Sequence, residues 1–171
     1  SGRYVYFRRV TAYGWYTEQG YPGFANANEI WVYEQSQGGG SGGWNQTGET
    51  RYLYDGMNVV QERDAANTPT VTYTRGKDLS GSLQGAGGIG GLLARSHGYS
   101  GGSWSAHNFY HADGNGNITY MVNSSQAMVA SYKYDPYGRT VSSSGTLAGD
   151  NVYRFSSKAV QPNSGLYYYG Y

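Results

Sequence analysis

Apolar and polar positions along this 171-residue chain alternate over short stretches and never hold a helical period for long. Residues 3–10 (R-Y-V-Y-F-R-R-V) and 29–34 (E-I-W-V-Y-E) read as strands, rich in the aromatic and β-branched side chains that suit a pleated, half-buried surface. The clearest hairpin lies between 117 and 135. Asn117–Val122 and Met128–Tyr134 flank the polar run Asn123-Ser124-Ser125-Gln126-Ala127, which has the composition of a turn. Successive strand residues face opposite ways, so Val129, Ser131 and Lys133 are expected on one side of the second strand, and Met128, Ala130, Tyr132 and Tyr134 on the other.

The turn signals recur. Asp113-Gly114-Asn115-Gly116 and Asp135-Pro136-Tyr137-Gly138 share the form D-x-x-G, 22 residues apart. Asp55-Gly56-Met57-Asn58 reads as a third copy with Asn in the last place. An Asp at the first turn position can accept from the following amides, and Gly or Asn at the last tolerates positive φ. The structural turn residues are therefore Asp55, Asn58, Asp113, Gly116, Asp135 and Gly138. A repeat of about 20 residues implies stacked antiparallel hairpins that bury a shared face only against their neighbours. The expected class is all-β, with less than ~10% helix.

Composition decides what fills the core. Val, Ile, Leu and Phe together supply 25 of 171 residues, while Tyr alone supplies 20, with 4 Trp. Each aromatic ring can bury roughly 150–250 Å², but a buried Tyr hydroxyl still needs a partner. A folded chain with a tyrosine core follows, since the net charge of +1 is far from the high charge of a disordered one. Twelve Lys and Arg against eleven Asp and Glu argue against a basic nucleic-acid face. No run approaches the ~18 apolar residues of a membrane span. The absence of Cys excludes disulfides and thiolate metal sites. The start at Ser1 rather than Met suggests a processed product or a fragment. Gln37–Gly43, Q-G-G-G-S-G-G, reads either as a native hairpin tip or as a flexible linker.

Several chemistry-like motifs fail on context. Gly85–Gly90 matches G-x-G-x-x-G, but a dinucleotide site needs a strand before it and a helix after it. Only Gly91–His97 could supply that helix, and Gly98 stops it. Gly98-Tyr99-Ser100-Gly101-Gly102 matches the G-x-S-x-G elbow, yet no helix can follow Ser100 and no Asp lies between it and His111, the last histidine. Asp113-Gly114-Asn115-Gly116-Asn117 begins like a calcium loop, but Ile118 and Ser124 stand where Gly and Glu are required. His107 and His111 lie roughly 13 Å apart on a strand, too far to share a metal. No catalytic residue, cofactor or metal ligand is therefore assigned. Tyr167, Tyr169 and Tyr171 could share one strand face as an aromatic surface, although core packing is the stronger use of such residues.

The stretch Val152–Tyr171, with Arg154-Phe155-Ser156-Ser157-Lys158 and then Ser164-Gly165-Leu166-Tyr167-Tyr168-Tyr169-Gly170-Tyr171, follows Tyr132-Lys133-Tyr134-Asp135-Pro136-Tyr137-Gly138-Arg139. Upstream stand Arg51-Tyr52-Leu53-Tyr54-Asp55-Gly56 and Leu79-Ser80-Gly81-Ser82-Leu83-Gln84-Gly85-Ala86-Gly87-Gly88. Together these resemble the Rhs-repeat-associated core of YD-repeat proteins, which include bacterial polymorphic toxins, toxin-complex proteins and teneurins. The resemblance covers residues 44–171 and leaves 1–43 as a β-rich segment without a placed motif. Ala159-Val160-Gln161-Pro162 departs from the family's usual charged spacer.

The resemblance implies a spiral β-sheet shell around a toxic region, plugged by the core. It also implies a bacterial, secreted or cell-surface setting, and partners that are flanking YD repeats or an enclosed toxin domain. Many members cut themselves after Y-Y-Y-G-Y at a D-P-x-G motif. This chain stops at Tyr171, ahead of that place, and Asp135-Pro136-Tyr137-Gly138 sits upstream where a repeat belongs. A non-enzymatic shell segment is the first expectation. A subunit of an extracellular filament or surface layer built from copies of itself is the second, because terminal strands 3–10 and 165–171 lack edge protection. A carbohydrate-binding adhesion module recognising cell-surface glycans is the third.

Overall fold

The computed structural model of the protein describes residues 3–10, 26–35, 44–161 and 165–169. Among these residues the chain is strand and turn, with a single 3-10 turn at Phe155–Ser157, so the all-β class holds. The Gly-rich run at 37–43 and Tyr171 lie outside the described residues. The chain divides into two compact units, Ser1–Thr70 and Val71–Tyr171.

The first unit is an antiparallel meander of β1 (Arg3–Val10), β2 (Asn26–Gln35), β3 (Trp44–Asp55) and β4 (Asn58–Arg63). Both aromatic-rich stretches named from the sequence lie in its strands. β1 and β2 pair without interruption from Arg3↔Glu34 to Val10↔Ala27. Asp55 pairs with Asn58 across a tight two-residue turn in which Gly56 has φ of 59°.

The second unit carries β5 (Pro69–Arg75) from Val71 onward, then β6 (Leu92–Ser100), β7 (Ser103–Ala112), β8 (Ile118–Asn123), β9 (Met128–Tyr134) and β10 (Thr140–Ser144). From β5 onward each strand pairs antiparallel with the next in chain order. The 117–135 hairpin is β8–β9. Its pleat departs from simple alternation because the register shifts between Met121↔Ala130 and Val122↔Met128, leaving Val129 as an inserted residue. Val129 is therefore buried beside Ala130, and Met128 turns out to solvent. The Val129 carbonyl accepts the Leu147 N–H (2.8 Å).

After β10 the chain turns back and crosses one face of this sheet. Gly145, at φ 107°, makes the turn where an added Cβ would strike the backbone of Val129 and Ala130. The Ile118 N–H then donates to the Arg154 carbonyl (3.0 Å). The crossing ends in β11 (Ala159–Val160), paired with β12 (Tyr167–Tyr168). The described part of 165–171 is thus tied back to the crossing segment, not left as an edge of the main sheet.

Tyrosine fills the space between sheet and crossing segment. Tyr73, Tyr110, Tyr132 and Tyr153 are buried, together with Ile118, Met121 and Ala130, which have no exposed surface. Tyr73 meets Tyr153 edge-on at 4.9 Å, an arrangement that adds to simple area burial. Two of these hydroxyls, those of Tyr110 and Tyr132, meet at Asn151. Tyr110 Oη donates to Asn151 Oδ1 (2.8 Å), while Asn151 Nδ2 donates to Tyr132 Oη (3.2 Å) and to the Tyr153 carbonyl (2.7 Å). Tyr132 Oη donates onward to the Ala148 carbonyl (3.1 Å). Burial holds the Tyr110 phenol far above its ordinary pKa.

Tyr134 is half-buried, packs edge-on against Phe155 (5.6 Å) and donates from Oη to the Ile118 carbonyl (2.6 Å). Tyr134→Ala should cost about 3 kcal/mol, the low end for deleting an aromatic because part of the ring is already exposed. Tyr134→Phe, which removes only the hydrogen bond, should cost about 1 kcal/mol. Urea unfolding checks both, and parent-like stability of the alanine variant would contradict this packing.

Candidate functional site

The Gly-rich 76–91 loop and the R-F-S-S-K stretch meet within the second unit. Asp78, a buried carboxylate near its start, organises the loop. Asp78 Oδ1 accepts the Ser80 N–H (2.9 Å) and the Ser80 hydroxyl (2.5 Å), and Oδ2 accepts the N–H groups of Ala86 (2.7 Å) and Gly88 (3.0 Å). The converging amides form the kind of nest that holds an anion, and here the anion is the chain's own carboxylate. The Ser80 hydroxyl contributes most to lowering the Asp78 pKa from 3.8 to about 2; the amides of Gly88, Ala86 and Ser80 act the same way, and burial opposes them. The G-x-G-x-x-G letters at 85–90 are thus part of a loop wrapped on Asp78. The following residues, Leu92–Ser100, form strand β6 and not a helix.

Each residue of R-F-S-S-K holds the crossing segment to something different. Arg154 Nη2 donates to the Ala148 carbonyl (3.0 Å), Nε to the Asn151 carbonyl (3.3 Å), and the guanidinium lies 5.0 Å from the Tyr132 ring centre. Phe155 sits between Tyr134 and Tyr167, against Gly138. The Ser156 N–H donates to Asn117 Oδ1 (2.8 Å). Ser157 Oγ donates to the Gly116 carbonyl (2.7 Å) and accepts the Gly90 N–H (3.1 Å), so one hydroxyl ties the β7–β8 turn to the Gly-rich loop. Lys158 Nζ donates to the Gly87 carbonyl (2.6 Å).

The bridge requires unusual backbone. Ser156 and Ser157 have φ of 53° and 51°, a left-handed pair that costs about 1–3 kcal/mol per residue and persists only where surroundings impose it. Gly116 and Gly90 approach so closely that a Cβ on Gly116 would lie 2.8 Å from the Gly90 nitrogen.

The turns divide into two kinds. Asp113–Asn117 and Asp135–Arg139 share one construction: the first N–H donates to the fifth carbonyl (2.9 and 3.0 Å), and the fourth N–H donates back to the first carbonyl (3.0 Å in both). The Asp Oδ1 accepts the N–H groups two and four residues on, at 2.9–3.0 Å. Gly116 and Gly138 hold the fourth place at φ 78° and 90°. Two further copies, Asp64–Thr68 and Asn123–Ala127, place Asn67 and Gln126 at φ 63° and 65°. Their signal was an Asp or Asn followed three residues later by an amide side chain instead of Gly. Asp55–Asn58 is the other kind, the two-residue turn described above. Burial opposes ionisation of Asp113, but hydrogen bonds from Asn117 and Asn115 outweigh it and lower the pKa; Asp135 is lowered in the same way by Arg139 and Tyr137.

The remaining motifs are spent on folding. Gly101 and Gly102, at φ 56° and 87°, form the two-residue β6–β7 turn, with Ser100 paired to Ser103. His107 Nδ1 meets Ser96 Oγ at 2.8 Å, and His111 stacks on Tyr120 at 4.1 Å. Among the described residues no group of three His, Cys, Asp or Glu could hold a metal. Tyr167 turns inward, its Oη donating to the Gly138 carbonyl (3.1 Å), whereas Tyr168 and Tyr169 are exposed and Lys158 Nζ lies 5.6 Å from the Tyr169 ring centre.

A tyrosine-cored meander of hairpins, held by Asp/Asn turns and closed by its own R-F-S-S-K segment, defines a hairpin-repeat β protein. No family model matches the chain. Over 122 residues, 70% of this chain, it is 33% identical to the tRNA3(Ser)-specific nuclease WapA of Bacillus spizizenii and 34% identical to the tRNA nuclease WapA of Bacillus subtilis. The chain spans 4% of the length of each. Two solved structures share the fold: the crystal structure of TcdB2-TccC3-TEV (TM-score 0.53, 16% identity) and a mutant Tc holotoxin pore from Photorhabdus luminescens (TM-score 0.53, 17% identity). Each covers 96% of this chain, which corresponds to 8% of the larger chain. The chain belongs to the Rhs/YD-repeat family.

The Asp78 carboxylate has a lower pKa folded than unfolded, so its stabilisation is complete above about pH 4 and is lost as pH falls toward 2. Asp78→Asn should therefore lower stability at neutral pH and flatten the acid limb of the stability curve over that window. Denaturant titrations at several pH values check this, and an unchanged acid limb would remove Asp78 from the role given to it.

Proposed function

We propose that this chain is a non-catalytic structural segment of a larger Rhs-type protein, one that closes part of a β-sheet shell around a toxic region carried elsewhere in the polypeptide. The observation that carries the reading is the crossing segment. Residues 145–160 lie over one sheet face and are fixed there by the polar side chains of Asn151, Arg154, Ser157 and Lys158, which are directed at the fold. Three of the four carboxylates of the second unit, Asp78, Asp113 and Asp135, are occupied by backbone amides, which leaves them poorly placed for acid–base work. Likeness to named tRNA nucleases and to toxin-complex structures supports an enclosed toxin as the shell's content. The reading includes a secreted or cell-surface setting, which membership of the Rhs/YD-repeat family supports; no helix among the described residues is long and apolar enough to cross a membrane.

Two measurements test this. The 171-residue chain, incubated with total tRNA, should leave it intact. In the full-length polypeptide, limited proteolysis should release a protected core in which this segment stays together with the toxic region. Cleavage of tRNA by the isolated chain, or early release of the segment as a free piece, would overturn the proposal.

A further inference from the structure

One charged group is left over. Arg95 is buried, and its Nε and Nη1 have neither solvent contact nor a hydrogen-bond acceptor among the described residues. Such a charge is costly unless an acceptor meets it. Cross-strand register places Arg95 between Tyr73 on β5 and Asn108 on β7. The same pairing sets His97 opposite Ala106, and Tyr99 opposite Trp104, whose rings are 5.0 Å apart. These residues follow Arg95 along one face of the β6–β7 hairpin, toward its Gly101–Gly102 tip.

The surrounding charge does not compensate Arg95. The unit Val71–Tyr171 holds seven Lys and Arg against four Asp, a formal charge of +3. Asp78, Asp113 and Asp135 are committed to amides. Asp150, the fourth, is exposed and makes itself felt at His97. The Arg95 charge is felt at the buried Tyr110 and Tyr132 and at the half-buried His97, whose ring is joined to Asn108 Nδ2 by a long contact of 3.3 Å.

We propose that Arg95 anchors a carboxylate site on this face, filled by an Asp or Glu side chain of a separate, extended polypeptide segment. The occupant displaces the His97 ring, and its carboxylate oxygens accept from the guanidinium, whose planar donors match that group better than any other side chain does. The Tyr99–Trp104 pair beyond takes the flanking backbone of the same segment. The site does not depend on what a shell might enclose.

The probes are acetate, chloride and inorganic phosphate at matched ionic strength, and the peptide acetyl-Gly-Glu-Gly-amide beside its Gln analogue. For the wild-type chain, melting temperature should rise in acetate relative to chloride, and the Glu peptide should bind roughly tenfold or more tighter than the Gln peptide. Arg95→Met should lose both responses while melting in chloride at or above the wild-type temperature, because an unpaired charge has been replaced by an apolar side chain of similar length. Equal responses in wild type and Arg95→Met overturn the site. A response to acetate with no preference for the Glu peptide assigns a free ion and overturns the polypeptide occupant, as does a stronger response to phosphate than to acetate. A large drop in the melting temperature of Arg95→Met in chloride shows that the fold already satisfies Arg95, and the proposal fails.

Discussion

A tyrosine core is possible only if every buried hydroxyl finds a partner, and that constraint governs this fold. Aliphatic cores need only complementary shape. Here four buried tyrosines and a sheet face with few aliphatics have to be covered by a segment bearing hydrogen-bonding groups at set points. Asn151 provides them for two of the four hydroxyls, with its one carbonyl and both amide hydrogens used between Tyr110, Tyr132 and the Tyr153 carbonyl. An unmet donor or acceptor at any of these points would cost about 1–3 kcal/mol. The crossing segment is therefore held in one register, and R-F-S-S-K extends that fixing to the loop and turn beyond it.

The same economy appears in the loops. Gly-rich stretches leave many backbone N–H groups to satisfy, and in this chain Asp78 gathers those of the 76–91 loop as Asp113 and Asp135 gather those of their turns. Ser157 then joins two of these elements through one hydroxyl. Its left-handed backbone, shared with Ser156, is unfavourable locally and is sustained by the hydrogen bonds on either side. Motifs that look like chemistry in the letters, the G-x-G-x-x-G and the D-x-N-x-N, are thus explained by backbone accounting.

What the sequence revealed follows physical range. Strand alternation and turn chemistry are local, so the all-β class, the β8–β9 hairpin and the tyrosine core are legible in the sequence. The inserted Val129 was not, because a bulge is set by the neighbouring strand and by the Leu147 amide that its carbonyl accepts. The turn at Asp55 shares letters with those at Asp113 and Asp135 but pairs Asp55 directly with Asn58, a choice made by strand register. Asn151, Asp78 and Arg95 carry no motif. Asn151 draws its role from Tyr110, 41 residues away in sequence, and only the folded chain brings the two together.

The central claim is that sheet and crossing segment form one cooperative unit. Native-state hydrogen exchange tests it most directly, read at three amides that bond across the join: Leu147 to the Val129 carbonyl, Ile118 to the Arg154 carbonyl and Gly90 to Ser157 Oγ. The account predicts that all three exchange only through global unfolding, with the same free energy as the central strand amides of β8 and β9. Exchange at these positions far faster than in β8 and β9 would show a crossing segment that lifts off an independently stable sheet, and would contradict the account.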